Sequence, residues 1–216
     1  TGWAAPFVPR PSSDATPGDV PAPLLLPGDA LSTWIGKSVQ GSLRLAGRTG
    51  GTMPGKVVES VDAGYLARRL ATLPRGVTVV SGTNGKTTTT KMLAHVLGSR
   101  YRVLTNPTGS NFTRGAVSAI VDAARWNGRL DFDLAVFELD EAYAARFVDE
   151  HAPHRVVVLN VLRDQMDRFG EIDHTARLLA RAVAAATGEV VLNRDDPRVA
   201  ALADHASVPV RWFGVD

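Results

Sequence analysis

From Val57 onward, the sequence alternates between short apolar runs and longer stretches with helical periodicity. The apolar runs predict strands near residues 77–81, 102–105, 133–138, 155–160, 189–193 and 209–213. The segments around them predict helices near residues 62–72, 87–98, 115–127, 142–150, 172–187 and 197–205. Continuous apolar strands that alternate with helices are typical of a mostly parallel sheet covered on both faces. The sequence therefore predicts an α/β fold whose functional residues gather at the carboxyl ends of the strands.

The residues before Val57 have a different composition. Residues 1–29 are rich in Pro, Ser, Gly and Asp, which favours a flexible tail over a packed element. Residues 30–56 are interpreted as a basic amphipathic helix that ends near Leu45, followed by a glycine-rich connector, GRTGGTMPGK. Residues 57–216 then contain the predicted α/β domain. The absence of an initiator Met suggests a processed or partial chain.

The overall charge argues against one class of function, and its distribution leaves two interpretations open. A net charge of +2 over 216 residues is too small to argue for nucleic-acid binding. Between Leu31 and Gly76, cations outnumber the acids Glu59 and Asp62. These cations are Lys37, Arg44, Arg48, Lys56, Arg68, Arg69 and Arg75. Such a segment can favour an anionic membrane surface or a phosphorylated substrate, although a solvated helix face is the simpler interpretation.

The cysteine content and the length of the apolar runs indicate the cellular compartment of the protein. The chain has no cysteine, which fits a reducing environment. No apolar run in the sequence approaches the roughly 18 residues that a bilayer-spanning helix needs, and no signal peptide is visible. We therefore expect a cytoplasmic protein.

The segment VVSGTNGKTTTT, residues 79–90, links a predicted strand to a predicted helix. Glycine-rich turns of this kind bind phosphate, because their backbone N–H groups can turn toward an anion. Lys86 can reach the outer phosphates of a nucleotide, and the Thr87 hydroxyl can bind Mg²⁺. The standard P-loop pattern, G-x-x-x-x-G-K-[ST], has glycine at the position of Val80, whereas this loop has Gly82. An ordinary glycine-rich turn therefore stays an alternative. The residues predicted to bind the nucleotide are Gly82, Thr83, Asn84, Gly85, Lys86, Thr87 and Thr88.

Polar segments follow three of the later strands. They read NPTGSNFTRG after residue 105, ELDEA after residue 137 and NVLRDQMDRFGE after residue 159. In a parallel sheet, such segments lie near the phosphate loop. Glu138 directly follows a predicted buried strand, a position from which a carboxylate can hold Mg²⁺ directly or through water. Asp140 and Glu141 are explained as readily by an N-cap of the next helix.

Two segments of this chain resemble signatures of the Mur ligase superfamily, which includes the folylpolyglutamate synthases. GTNGKTTT resembles the P-loop variant of the superfamily, in which a glycine follows two places after a strand valine. Asn160, Asp164, Gln165 and Asp167 match the frame of its Asn-x-x-x-Asp-His-x-Asp stretch. The resemblance implies the fold of the Mur ligase central ATPase domain. It also implies an enzyme that uses ATP to convert a carboxylate to an acyl phosphate, which an amine then attacks.

Two departures distinguish this chain from many members of the superfamily. Gln165 stands where the resemblance implies a His that helps to hold a second Mg²⁺, and a neutral glutamine carbonyl binds metal more weakly. Several Mur ligases use a carbamylated lysine in the helix that follows, but no lysine of this chain lies beyond Lys91. A carbamyl-lysine mechanism is therefore excluded for this chain.

Four longer stretches resemble one branch, the MurT ligase-like subunits of lipid II isoglutaminyl synthases. These stretches are GGTMPGKV, GTNGKTTTT, GSNFTRGA and RDQMDRFGEID. The resemblance implies ATP and Mg²⁺ as cofactors and a GatD-type glutamine amidotransferase as the partner that supplies ammonia. It implies amidation of the D-glutamate α-carboxyl of the lipid II stem peptide to D-isoglutamine, at the inner face of the membrane.

The resemblance also assigns roles to individual residues. The implied catalytic residues are Lys86, Asn111 and Glu138, and the implied metal ligands are Thr87, Glu138 and Gln165. Asn111 could orient the transferring phosphate through its amide, but a turn residue after Gly109 is an equally good interpretation. Asp164 and Asp167 could hold metal or water, or could cap the following helix.

Two features that the resemblance implies do not occur in the sequence. One is an adenine-contacting element of the His-Asn-x-x-Asn type, and the other is the four-cysteine zinc ribbon common in the MurT branch. Both would lie beyond Asp216, so the simplest interpretation is an ATPase domain that is incomplete in this chain. Two other functions stay open: an amino-acid ligase of the Mur or folylpolyglutamate synthase type, and a nucleotide-binding scaffold without turnover.

Overall fold

The structure is a computed structural model that describes residues 27–45, 47, 52–106, 113–162 and 171–215. The helices are α1 (Pro27–Leu45), α2 (Met53–Val61), α3 (Tyr65–Leu70), α4 (Lys86–Gly98), α5 (Thr113–Ala123), α6 (Glu141–Glu150), α7 (Glu171–Ala184) and α8 (Pro197–Ala201), followed by a 3-10 turn at Leu202–His205. The strands are β1 (Val77–Ser81), β2 (Val103–Thr105), β3 (Leu134–Glu138), β4 (Arg155–Val158), β5 (Glu189–Asn193) and β6 (Val210–Phe213). Within these described ranges, no helix has both the length and the hydropathy of a bilayer-spanning segment.

The strands form one sheet in the order β2-β3-β1-β4-β5-β6. β1 pairs in parallel with β4, β4 with β5 and β5 with β6. Val80 lies opposite Val157, which in turn lies opposite Val191, so β-branched side chains form continuous rows across the sheet. The predicted α/β fold with a mostly parallel sheet is confirmed.

The position of β1 in the sheet determines where a ligand can bind. β1 lies between β3 and β4, and the strands that follow it in the chain lie on both of its sides. The carboxyl end of β1 is therefore a topological switch point, the usual binding crevice of open parallel sheets. The ends of β3 and β4 flank the loop that leaves β1.

The chain divides into two compact units. The first consists of Thr1–Arg75 and Ala94–Ala135, and the second consists of Gly76–Leu93 and Val136–Asp216. The loop after β1, Glu138 and Asn160 all belong to the second unit. The predicted nucleotide site can therefore be described within that unit alone.

In the first unit, α2 packs against α1 and α5. The sequence predicts a connector up to Lys56, but α2 already begins at Met53. Pro54 lies in the first turn, where its missing N–H removes no helical hydrogen bond. The Gly55 N–H donates to Ser118 Oγ at 2.9 Å, and Pro54 and Gly55 are buried. Packing against α5 thus stabilises a helix that residue propensities disfavour.

A buried ion pair joins α1 to α3. Asp29 and Arg69 are 0% and 1% exposed, and Arg69 Nη2 donates to Asp29 Oδ2 at 2.5 Å. Arg69 Nη1 also donates to the carbonyl oxygen of Gly128 at 3.0 Å. The sequence places Asp29 in the predicted flexible tail, whereas the structure places it in the first turn of α1. The carboxylate of Asp29 therefore belongs to the packed part of the unit.

Several cations of the basic segment between residues 31 and 76 are already paired. Arg68 donates to Asp29 at 2.9 Å and to Asp62 at 2.6 Å. Arg69 is buried, and the Arg75 guanidinium lies 4.3 Å from the centroid of the Tyr101 ring. The charge excess read from the sequence therefore overstates the positive charge that this segment offers to a ligand.

In the second unit, a cross-strand ion pair network supplements the apolar core. Glu189 on β5 accepts from Arg155 on β4 at 2.5 Å and from Arg211 on β6 at 2.6 Å. These two guanidinium groups, Arg155 foremost, hold the pKa of Glu189 below its ordinary value. The network joins three neighbouring strands through one carboxylate.

Candidate nucleotide-binding site

The loop between β1 and α4 needs glycine at two positions. Gly82 and Gly85 have φ angles of 129° and 84°, which side chains rarely tolerate. Gly82 also lies against the end of β4, where a Cβ atom would be 2.9 Å from the carbonyl oxygen of Asn160. Two independent constraints therefore require glycine at position 82.

The ammonium group of Lys86 folds back onto this loop. Its Nζ donates to the carbonyl oxygens of Gly82 at 2.5 Å and Thr83 at 3.1 Å. Lys86 is the first residue of α4, so it lies beside the positive end of the helix dipole. A phosphate group here would meet a full positive charge together with the N–H groups of the first helical turn.

Thr87 and Glu138 supply two neighbouring oxygen atoms. Thr87 Oγ1 donates to Glu138 Oε1 at 2.6 Å, and Glu138 is buried at the end of β3. Across the described residues, no cluster of three or more His, Cys, Asp or Glu side chains suits a metal ion. Mg²⁺ is commonly held by one or two protein oxygens together with phosphate oxygens and water, and a hydroxyl–carboxylate pair fits that mode.

Asp140 is the N-cap of α6. Its Oδ1 accepts from the Tyr143 N–H at 3.1 Å, and Glu141 lies in the first turn of the helix. Burial raises the pKa of Asp140 above its ordinary value, while the Tyr143 hydrogen bond and the charge of Lys86 act in the opposite direction. The N-cap interpretation of Asp140 is confirmed.

Asn160 binds the loop through both of its amide atoms. Its Oδ1 accepts from the Asn84 N–H at 2.8 Å, and its Nδ2 donates to the Asn84 carbonyl oxygen at 3.1 Å. Its own carbonyl oxygen accepts from the Thr83 N–H at 3.0 Å. One side chain thus satisfies both backbone groups of a loop residue, which fixes the path of the loop. The sequence marks Asn160 only as a member of a motif.

Further contacts tie the segment after β4 to the loop and to α8. The Leu162 N–H donates to Thr83 Oγ1 at 3.0 Å. The Val161 N–H donates to Asp196 Oδ2 at 2.7 Å, and Asp196 Oδ1 caps α8 by accepting from the Arg198 N–H at 2.9 Å. Sequence reasoning missed Asp196, although Asp before Pro at a helix start is an N-cap signal.

The structure places some of the predicted site residues together and leaves others undescribed. The residues that lie together are Gly82, Thr83, Asn84, Gly85, Lys86, Thr87 and Glu138. Thr88 is exposed on the first turn of α4. Asn111 and Gln165 lie outside the described residues, as do Asp164 and Asp167. The roles assigned to all of these residues stay predictions.

We expect Asn160→Ala to weaken ADP binding by the full-length protein roughly 30-fold. The variant loses two hydrogen bonds to the loop backbone, each worth about 1 kcal/mol, and about 1.4 kcal/mol corresponds to tenfold in affinity. Isothermal titration measures the change. Asn193→Ala is the matched control, because Asn193 Nδ2 donates to the Leu159 carbonyl oxygen at 3.0 Å instead of to the loop. An equal loss of affinity in both variants would contradict a specific role of Asn160.

A family comparison establishes what kind of domain this is. The model of the Mur ligase middle domain matches residues 80–216, a range that contains the loop, Glu138 and Asn160. The chain belongs to the Mur ligase family. The superfamily resemblance drawn from the loop and from residues 160–167 is thereby confirmed.

Within the Mur ligase family, the chain is similar to MurT subunits of lipid II isoglutaminyl synthases. It is 34% identical to the subunit from Staphylococcus aureus strain COL over 182 residues, 84% of this chain and 40% of that protein. It is 37% identical to the subunit from Streptococcus pneumoniae over 188 residues, 86% of this chain and 40% of that protein. The resemblance to the MurT branch is confirmed, and the chain spans about 40% of the length of these relatives.

Other members of the Mur ligase family are also similar. A UDP-N-acetylmuramate–L-alanine ligase from Rubrobacter xylanophilus is 35% identical over 159 residues, 69% of this chain and 31% of that protein. MurF from Acinetobacter baumannii has a TM-score of 0.60 at 21% identity, over 76% of this chain and 35% of that chain. MurF ligase from Thermotoga maritima, solved in complex with ADP, has a TM-score of 0.60 at 20% identity, over 73% and 36% of the two chains. These solved structures establish the shared fold.

Proposed function

We propose that the full-length protein amidates the D-glutamate α-carboxyl of the lipid II stem peptide to D-isoglutamine. The proposal takes ATP as the energy source and ammonia from a GatD-type glutamine amidotransferase. The observation that carries it is the identity of 34% and 37% to two MurT subunits over 84% and 86% of the chain. Membership in the Mur ligase family supports the coarser conclusion of an ATP-dependent ligase in peptidoglycan biosynthesis.

In the proposed first step, Lys86 and the N-terminus of α4 bind the phosphates of ATP. The Lys86 ammonium would transfer its hydrogen bonds from the Gly82 and Thr83 carbonyl oxygens to phosphate oxygens. An oxygen of the substrate carboxylate bonds to the γ-phosphorus while the bond to the β,γ-bridging oxygen breaks, and ADP leaves with that electron pair. Positive charge held in place stabilises the transferring group, and Asn111 would orient it.

In the proposed second step, ammonia attacks the carbonyl carbon of the acyl phosphate. The carbon–oxygen bond to phosphate breaks, and phosphate leaves with the electron pair. The nitrogen loses one proton, which the leaving phosphate takes up, to give the amide and hydrogen phosphate. Ammonia needs no side-chain pocket, but it must arrive unprotonated. Delivery from a docked glutaminase into a site closed to water would meet that requirement.

Thr87 and Glu138 are the proposed ligands of Mg²⁺. Their oxygens are 2.6 Å apart, and Gln165 would add a ligand according to the family resemblance. When bound, Mg²⁺ supplies charge neutralisation on the phosphates. Glu138 is buried, so its carboxylate is held in one orientation beside Thr87.

The proposed substrate carries a lipid, which sets where the protein has to work. The MurT relatives are subunits of enzymes named for lipid II. We therefore propose a cytoplasmic protein that acts at the inner face of the membrane, in complex with its glutaminase partner.

The reaction can be tested with the full-length protein, lipid II and ATP over a range of pH. We expect ammonium alone to support amidation that increases with pH, because only unprotonated ammonia is a nucleophile. We expect glutamine to support amidation near neutrality only when the glutaminase partner is present. Mass spectrometry of the stem peptide measures the product.

The same experiment separates the competing functions. Addition of a free amino acid to the substrate would contradict amidation and favour an amino-acid ligase of the Mur or folylpolyglutamate synthase type. ATP binding without turnover of any acceptor would favour a nucleotide-binding scaffold.

A further inference from the structure

The first two turns of helix α1 bury three polar side chains and expose two apolar ones. Asp29, Ser32 and Thr33 are buried, whereas Leu31 and Trp34 are exposed, Trp34 to 57%. A surface helix normally buries its apolar stripe and exposes its polar one. The outer side of α1 is therefore better suited to an apolar or amphipathic partner than to water alone.

A second tryptophan extends this apolar surface. Trp126, which follows α5, is 56% exposed, and its ring centroid lies 5.3 Å from that of Trp34 in an edge-to-face arrangement. Lys37 Nζ lies 5.7 Å from the centroid of the Trp126 ring. We call the set of Leu31, Trp34, Lys37 and Trp126 the tryptophan patch. All four residues belong to the first compact unit.

The charged groups joined to the tryptophan patch have a positive balance. Lys37 Nζ donates to the backbone carbonyl oxygen of Asp122 at 3.2 Å, and Arg44 pairs with the Asp122 carboxylate at 3.0 Å. Next to Trp126 in the chain, Arg125 pairs with Asp131, which also pairs with Arg129. These four cations and two carboxylates leave a balance of 4 − 2 = +2.

We propose that the tryptophan patch docks on the surface of an anionic lipid bilayer. Indole rings partition to the boundary between headgroups and acyl chains, and neighbouring cations are attracted by anionic headgroups. The positive charge around the patch argues against a second copy of this chain as its partner, because a two-fold interface would place this positive surface against itself. The inference rests on the proposed function, whose substrate is a lipid, and it names the surface that brings the protein to that substrate.

The test measures binding of the full-length protein to vesicles without ATP or lipid II. Vesicles of equal parts phosphatidylglycerol and phosphatidylcholine are compared with pure phosphatidylcholine in low salt. We expect Trp34→Ala/Trp126→Ala to lower the partition coefficient on anionic vesicles by roughly tenfold or more. Lys37→Gln should lower it by about fivefold at low salt and less at high salt.

Trp212→Ala is the matched control, since Trp212 is 47% exposed but belongs to the second unit. Its binding should equal that of the unchanged protein. Quenching of tryptophan fluorescence by brominated lipid should be strong in the unchanged protein and weak in the double variant. A double variant with tyrosine at both positions keeps most of the ring surface and should retain binding, which separates docking from misfolding.

Three results would overturn the inference. The first is that the unchanged protein does not bind anionic vesicles, and the second is that the Trp34→Ala/Trp126→Ala variant binds as well as Trp212→Ala. The third is a loss of self-association in that variant, seen by sedimentation velocity, with vesicle binding unchanged. Amidation is measured separately with detergent-dispersed lipid II. An unchanged protein that amidates this substrate but does not bind anionic vesicles would contradict the inference and leave the proposed function standing.

Discussion

Lys86→Ala in the full-length protein is expected to reduce ATP-dependent amidation by roughly 100-fold to 1000-fold, as for other groups that stabilise charge in a transition state. The reason is that Lys86 supplies a full positive charge beside the helix N-terminus where the phosphates would bind. The fold should persist, because the lost contacts are two hydrogen bonds to loop carbonyl oxygens. Steady-state amidation with partner, glutamine and lipid II measures the effect.

Lys91→Ala is the matched control for this experiment. Lys91 is an exposed residue of the same helix, and it is the only other lysine of α4. Its removal should leave amidation within about twofold, since exposed charges farther than a helical turn from the loop contribute little. Unchanged amidation by Lys86→Ala would contradict the assignment of residues 82–88 as a phosphate loop.

Arg69→Ala is expected to destabilise the first unit by about 3–5 kcal/mol, because it leaves the buried Asp29 carboxylate without one of its partners. Arg69 also bonds the Gly128 carbonyl oxygen, so the variant leaves a second acceptor unsatisfied. Urea unfolding followed by tryptophan fluorescence measures the change, since Trp34 and Trp126 report on this unit.

The control replaces an arginine whose pair is exposed. Arg44→Ala breaks the Arg44–Asp122 pair, whose side chains are solvent-accessible, and should cost under about 1 kcal/mol. The double replacement Asp29→Leu/Arg69→Met removes both buried charges and should recover part of the lost stability. The assignment of a buried pair would be wrong if Arg69→Ala and Arg44→Ala were equally mild.

The strands could be predicted closely because each is a compact apolar run. β1 is a buried strand, and its residues 77–81 match the predicted range. α2 could not be predicted in the same way, because Pro54 and Gly55 are poor helix formers whose helical state depends on packing against α5. The same limit applies to Asp29, whose partner Arg69 lies 40 residues away in the chain.

The candidate site could be predicted in part for a related reason. Lys86 and Thr87 belong to one contiguous motif, and Glu138 is the last residue of a recognisable strand. The contact of Asn160 with Asn84 joins residues 76 positions apart and depends on the register of β1 with β4. No local sequence pattern predicts this contact. The position of Asn160 just beyond a parallel strand predicts only that it lies near the loop.

The tight approach of Gly82 to β4 bears on any attempt to redesign this loop. The standard P-loop pattern would place glycine at position 80 and a residue with a side chain at position 82. Val80 is fully buried in β1, so glycine there would remove core contacts. A Cβ at position 82 would lie 2.9 Å from a backbone oxygen and would push the end of β4 away. A loop with glycine at position 80 would therefore need a different β1 core and a different path at the end of β4. Changing the glycine position alone would not be tolerated.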